Sequence, residues 1–147
     1  MTMFETCLQK QEAVKNIFKS CDTAESKYQK IIELGQQNPP FPENEKTPSH
    51  LVEGCQSTLY LRSYWLNDQL IFEAGSDALI SAGLAALLLK VYSGESPEAI
   101  LKCPPNYLDE LEIGMYLTPN RTNGLYNIHL RMKQEALKRM MERDSKK

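Results

Sequence analysis

No stretch of this sequence is apolar for the ~18 residues that a membrane helix needs. The nearest approach, "DALISAGLAALLLKVY", is shorter and carries Lys90. The opening "MTMFETCLQKQEAVK" lacks the basic flank and apolar run of a secretory leader, which points to a cytoplasmic protein. Charge of one sign is missing too. Lys and Arg number 17 against 19 Asp and Glu, for a net charge of −2, so nothing in the balance suggests a nucleic-acid partner or an acidic membrane surface. Internal repeats and low-complexity tracts are absent. What is present, 147 residues of which 41% are hydrophobic and 24% charged, reads as one globular domain over 1–147. Such a chain buries a core without staples.

There is no CxxC pair. Cys7, Cys21, Cys55 and Cys103 are widely spaced, which supplies neither zinc-site spacing nor a thioredoxin-like dithiol. In a reducing compartment they are free thiols, and each must be judged alone.

Periodicity supplies the elements. Ala13, Val14, Ile17, Phe18 and Cys21 fall on one helical face, which makes Cys21 a small apolar residue of that stripe and leaves Cys7 in a frayed N-terminus. Asp22 and Glu25 read as the cap of a second helix carrying Tyr28, Ile31 and Ile32, with Gly35 as its stop. "QQNPPFPENEKTPSH" holds four of the eight prolines and reads as a long surface connection. The period then changes to two: Leu59 and Leu61 alternate with Tyr60, Arg62 and Tyr64, "NDQ" is a turn, and Leu70, Phe72 and Ala74 continue the pattern as a β-hairpin. Ser76 is the expected cap of a buried Ala/Leu helix ending near Tyr92, with Gly94 beyond it. Ser96-Pro97 starts a short helix, "PPNYLDELEIG" holds another piece, and Thr118-Pro119 opens a last helix with a basic end. The order predicts a two-layer α+β domain, with helices covering one face of a small antiparallel sheet.

Cys55 stands apart from the other thiols. It follows Gly54 in a loop entering a strand, where glycine permits a sharp turn and leaves the thiol accessible. It is either a nucleophile or a packed cysteine. Arg121 places a cation in the first turn of a helix. There it either joins the helix N–H groups in holding an anion, a thiolate included, or pairs with a surface glutamate. His50 and Asp77 are isolated polar residues, Asp77 at a helix start; a metal set of Cys55, Cys103, His50 and Asp77 has no local spacing behind it. The run from Arg131 to Lys147 reads as a solvated helix end, since it has no aromatic interleaving.

In order and in spacing, "YQKIIELGQ", "GCQSTLYL", "SDALISAGLAALL", "YSGESPEAIL" and "LTPNRTNGL" resemble the SufE family of sulfur-acceptor proteins, from about residue 10 to residue 138. The resemblance implies an α+β fold like that of IscU-type scaffolds. It also implies sulfur taken from a SufS-type cysteine desulfurase and passed to a cluster scaffold of SufBCD type. Pyridoxal phosphate would sit on the desulfurase and no cofactor or metal on this chain. The family's acceptor falls on Cys55, its supporting arginine on Arg121, and its partner-facing residues on Gly54, Gln56 and the acidic Asp77. Two departures bear on which desulfurase is served, one of the SufS branch or of the paralogous CsdE-like branch. The usual "VW" is Leu59-Tyr60, and "TPSR" is "TPNR", with Asn120 in place of serine.

Three readings from different classes follow. The first is a covalent sulfur relay at Cys55 that also stimulates the desulfurase, as a monomer or a homodimer. The second is a non-covalent activator of a desulfurase, and the third a metal or cluster scaffold suggested by fold analogy. For the relay, the expected site has a modest lowering of the Cys55 pKa by Arg121 and loop amides. It also has an "EGCQS" loop with a protected and an extended position.

Overall fold

The structure, a computed structural model, describes residues 4–146. Alternation with period two becomes a two-stranded antiparallel sheet, β1 (Leu59–Leu66) and β2 (Gln69–Ser76), registered from Leu59 opposite Ser76 to Leu66 opposite Gln69. Asn67, in the left-handed region, and Asp68 make the two-residue turn. Leu59, Leu61, Leu70, Phe72 and Ala74 form the buried face, as the alternation requires.

Helix α3 (Leu79–Tyr92) is the centre of the domain, with ten of its fourteen residues buried. A helix apolar around its circumference has to be covered on all sides. Here β2, α1 (Glu5–Ile17), α2 (Ala24–Gln36) and α6 (Pro119–Ser145) all pack on it. Gly94, at φ 90°, takes the left-handed position past its end. Its start differs from expectation. Ser76 lies in β2, donates to the Thr58 carbonyl at 2.6 Å and accepts the Ala78 N–H at 3.2 Å. It therefore closes the strand-to-helix turn instead of capping the helix. Asp77 is an exposed residue of that turn, ahead of the helix start.

Helix α2 is capped by Thr23 and not by Asp22. The Thr23 hydroxyl accepts the Ser26 N–H at 3.0 Å and the Ser26 hydroxyl accepts the Thr23 N–H at 3.1 Å, a reciprocal box with serine in the usual glutamate place. Gly35 does not stop the helix but lies inside it. A Cβ on Gly35 would overlap the backbone of Gly83, and one on Gly83 would overlap the carbonyl oxygen of Ile31. The two glycines let α2 and α3 cross backbone against backbone.

The stripe of α1 also differs from expectation. Ala13 is exposed, and Cys21 lies beyond the helix end, half-buried. Cys7 is fully buried instead of frayed, in line with Gln11, Val14 and Phe18 at spacings of four, three and four. Gln11 interrupts that stripe in sequence, yet it is buried because its amide donates to the Pro104 carbonyl at 2.9 Å.

The remaining chain positions the site. The proline-rich connection holds two 3-10 turns, at Glu43–Glu45 and Pro48–His50. Ser96 caps α4 (Pro97–Lys102), and α5 (Asn106–Glu110) leads to a further 3-10 turn at Ile113–Met115. In α6 the Thr118 hydroxyl accepts the Arg121 N–H, with Pro119 in the first turn. The basic end of α6 is not merely solvated. Arg131 donates to the Leu51 carbonyl at 2.8 Å, Arg139 to the Ser63 carbonyl at 2.6 Å, and Arg143 pairs with Glu98 at 3.4 Å. Among the described residues no helix is long and apolar enough to cross a membrane.

Candidate functional site

The Cys55 loop is closed at its base, where the Val52 N–H donates to the Leu59 carbonyl at 2.9 Å. Gly54 turns the chain at φ 82°, a conformation open to glycine and strained for a residue with a side chain. The loop then lies along the start of α6. Gly54, Cys55 and Gln56 from the loop and Asn120, Asn123, Tyr126 and Asn127 from the helix line a cavity of about 410 Å³. Apart from the thiol and the Tyr126 phenol, every polar side chain in that wall is a neutral amide.

Cys55 is less accessible than the sequence suggests. Its thiol is half-buried and points at the Gly124 carbonyl, 3.9 Å away. Arg121 is also half-buried, and its guanidinium is held by two hydroxyls and not by a surface glutamate. It donates to the Ser57 hydroxyl at 3.0 Å and to the Ser81 hydroxyl of α3 at 2.8 Å. The charge so fixed favours the Cys55 thiolate, but burial opposes it and is the larger effect. The Cys55 pKa is therefore raised above its usual value, where a modest lowering was expected.

The other thiols differ in kind. Cys7 and Cys103 are sealed in the core, and burial together with contact to Cys103 pushes the Cys7 thiol far up. Cys21 lines a different cavity, with Lys15, Lys19 and Lys27. Asp77 lies on yet another, with Phe41, Lys46, Tyr60 and Gly75, and does not line the Cys55 cavity. His50 belongs to the connection, its Nδ1 lying 2.6 Å from the Glu45 carbonyl. Cys55, Cys103, His50 and Asp77 thus have separate surroundings, and among the described residues no three His, Cys, Asp or Glu side chains converge.

Sequence reasoning misses three residues here. Ser57 and Ser81 hold Arg121, and Asn127 donates to the Gly54 carbonyl at 2.9 Å. Asn127 stands six residues after Arg121 in a helix, and no local pattern distinguishes it from a solvent-facing amide.

The family described as SufE, Fe–S metabolism associated domain, matches residues 12–136, which include the Cys55 loop and the first turns of α6. The chain is 35% identical over 128 residues to SufE-like protein 1, chloroplastic/mitochondrial, of Arabidopsis thaliana. That alignment covers 86% of this chain and 34% of the relative, so the chain spans about a third of that relative's length. It is 36% identical over 125 residues to the cysteine desulfuration protein SufE of Wigglesworthia glossinidia brevipalpis, covering 84% of this chain and 86% of that protein. The solution structure of a hypothetical protein from Thermus thermophilus has the same α+β fold, with a TM-score of 0.74 at 25% identity over 90% of this chain and 96% of that one. With a family match over most of its length and relatives of that name, the chain belongs to the SufE family.

Proposed function

We propose that this chain is a sulfur acceptor in iron–sulfur metabolism, taking persulfide sulfur from a cysteine desulfurase onto Cys55 and passing it to a cluster scaffold. The observation that carries this reading is the fixed charge of Arg121 acting on a half-buried thiol at the edge of a cavity. The family description and the name of the Wigglesworthia relative support the coarser part, a role beside cysteine desulfuration.

The step is a transpersulfidation. The Cys55 thiolate attacks the outer sulfur of the partner's persulfide, and a bond forms between Cys55 Sγ and that sulfur. The bond between the outer sulfur and the partner's cysteine breaks, and the partner's cysteine leaves as a thiolate. The outer sulfur keeps its proton, so Cys55 becomes the persulfide and no net oxidation occurs. The rate follows the Cys55 thiolate fraction and the intrinsic nucleophilicity, which rises with pKa. A raised pKa thus gives a scarcer but stronger nucleophile, and Arg121 offsets part of that scarcity. Half-burial serves the product, because a persulfide kept from bulk solvent meets fewer reductants.

Desulfurase turnover with wild type and Cys55→Ser, at saturating cysteine without added reductant, separates the relay from an adaptor. The relay requires that stimulation be lost in Cys55→Ser. Stimulation kept in full by that variant replaces the relay with a non-covalent activator.

A further inference from the structure

Helix α6 holds the Cys55 loop at both ends. At the near end, Asn127 Nδ2 donates to the Gly54 carbonyl at 2.9 Å. The same amide lies over the face of Gly54 where any other residue would carry a Cβ. At the far end Arg121 holds the Ser57 hydroxyl at 3.0 Å. Between them Cys55 rests against the Gly124 carbonyl. Residues 121, 124 and 127 recur every third position, so one face of α6 makes all three contacts.

We propose that Asn127 is a positioning residue: a latch that keeps the Cys55 loop half-buried, and whose release at Gly54 brings the thiol out to a partner's persulfide. This rests on the reading of Cys55 as the sulfur acceptor. The two ends of the loop are not equivalent. Arg121 ties two elements at once and is itself half-buried, so breaking its contacts strands a charge. Asn127 makes one neutral hydrogen bond to a carbonyl that water reaches once the loop lifts, which makes it the contact that yields first. Gly54 has no Cβ and changes φ at little cost, so it serves as the hinge. The Val52–Leu59 hydrogen bond at the loop's base confines the movement to residues 53–58.

The latch is tested by native-state alkylation of the full chain with iodoacetamide, read per cysteine by mass spectrometry, in wild type, Asn127→Leu and Asn127→Gln. Asn127→Leu keeps the branched shape of the side chain and removes the donor. Its Cys55 alkylation should rise about fivefold, the population shift of one net hydrogen bond. Asn127→Gln retains an amide donor and should bring the rate back toward wild type. Cys7 and Cys103, sealed in the core, report general loosening and should stay unreactive in all three. An unchanged Cys55 rate in Asn127→Leu would overturn the latch. So would a rise shared by Cys7 and Cys103, or an Asn127→Gln rate as fast as Asn127→Leu. Alkylation requires no desulfurase, so failure of the latch is distinct from failure of Cys55 to accept sulfur.

Discussion

Arg121, in the first turn of α6, donates to Ser81 on α3 at 2.8 Å and to Ser57 beside Cys55 at 3.0 Å. A cation at the positive pole of a helix is mildly unfavourable by itself. Here its position is set by two hydroxyls on two elements, so the charge is held where the Cys55 thiolate forms.

Arg121→Gln removes that charge and leaves burial unopposed. The pH midpoint of Cys55 alkylation should move upward, and sulfur acceptance at neutral pH should slow with it. The check is the pH profile of single-cysteine labelling on both proteins. A midpoint that stays in place or falls would mean that Arg121 acts on the loop's position alone.

The crossing of α2 and α3 gives a prediction about stability. Gly83→Ala gains about 1 kcal/mol of helix propensity. It also drives a methyl into the Ile31 carbonyl, a backbone atom that cannot step aside. The net result should be a loss of about 2 kcal/mol. Gly124→Ala is the contrast, because its Cβ would meet no other atom within 4 Å beyond its own helix backbone and chain neighbours. It should gain about 0.5–1 kcal/mol. Urea unfolding of both variants decides the matter; a Gly83→Ala protein as stable as wild type would contradict the close crossing.

His129 makes stability depend on pH. It is buried on α6, tilted against the Tyr92 ring at 5.1 Å, and its Nε2 has no hydrogen-bond partner. Burial, and then the charge of Lys133, push its pKa down to about 4. The unfolded chain therefore binds a proton that the folded chain refuses. The stability tied to this residue is fully present above the unfolded value of about 6.5 and is lost as pH falls toward 4. Between pH 7 and pH 5 the loss should be about 2 kcal/mol, and His129→Phe should remove most of it. Urea midpoints at the two pH values measure the slope. Equal slopes in the two proteins would place the acid sensitivity elsewhere.

What the sequence makes readable follows from where local pattern and tertiary burial agree. From Leu59 to Ala74 alternation and burial coincide, so the hairpin and its inward face are plain in the sequence. The same holds for α3, whose composition demands burial on every side. Gly35 misleads because glycine marks both helix ends and close crossings, and only Gly83, 48 positions later, decides between them. Cys7 is hidden because its stripe passes through Gln11, whose burial depends on a carbonyl across the fold. At the candidate site, motif alone singles out Cys55 and Arg121 as candidates, but it does not give the sign of the Cys55 shift. It depends on how deeply a loop sits against α6, and that depth is set by Ser57, Ser81 and Asn127 at long sequence separation.

The most direct measurement is intact mass of wild type and Cys55→Ser after incubation with a cysteine desulfurase and L-cysteine, without reductant. Sulfur acceptance at Cys55 requires that wild type gain the mass of one or more sulfur atoms and that Cys55→Ser gain none. Equal loading of both proteins would place the sulfur on Cys7, Cys21 or Cys103 and contradict the assignment.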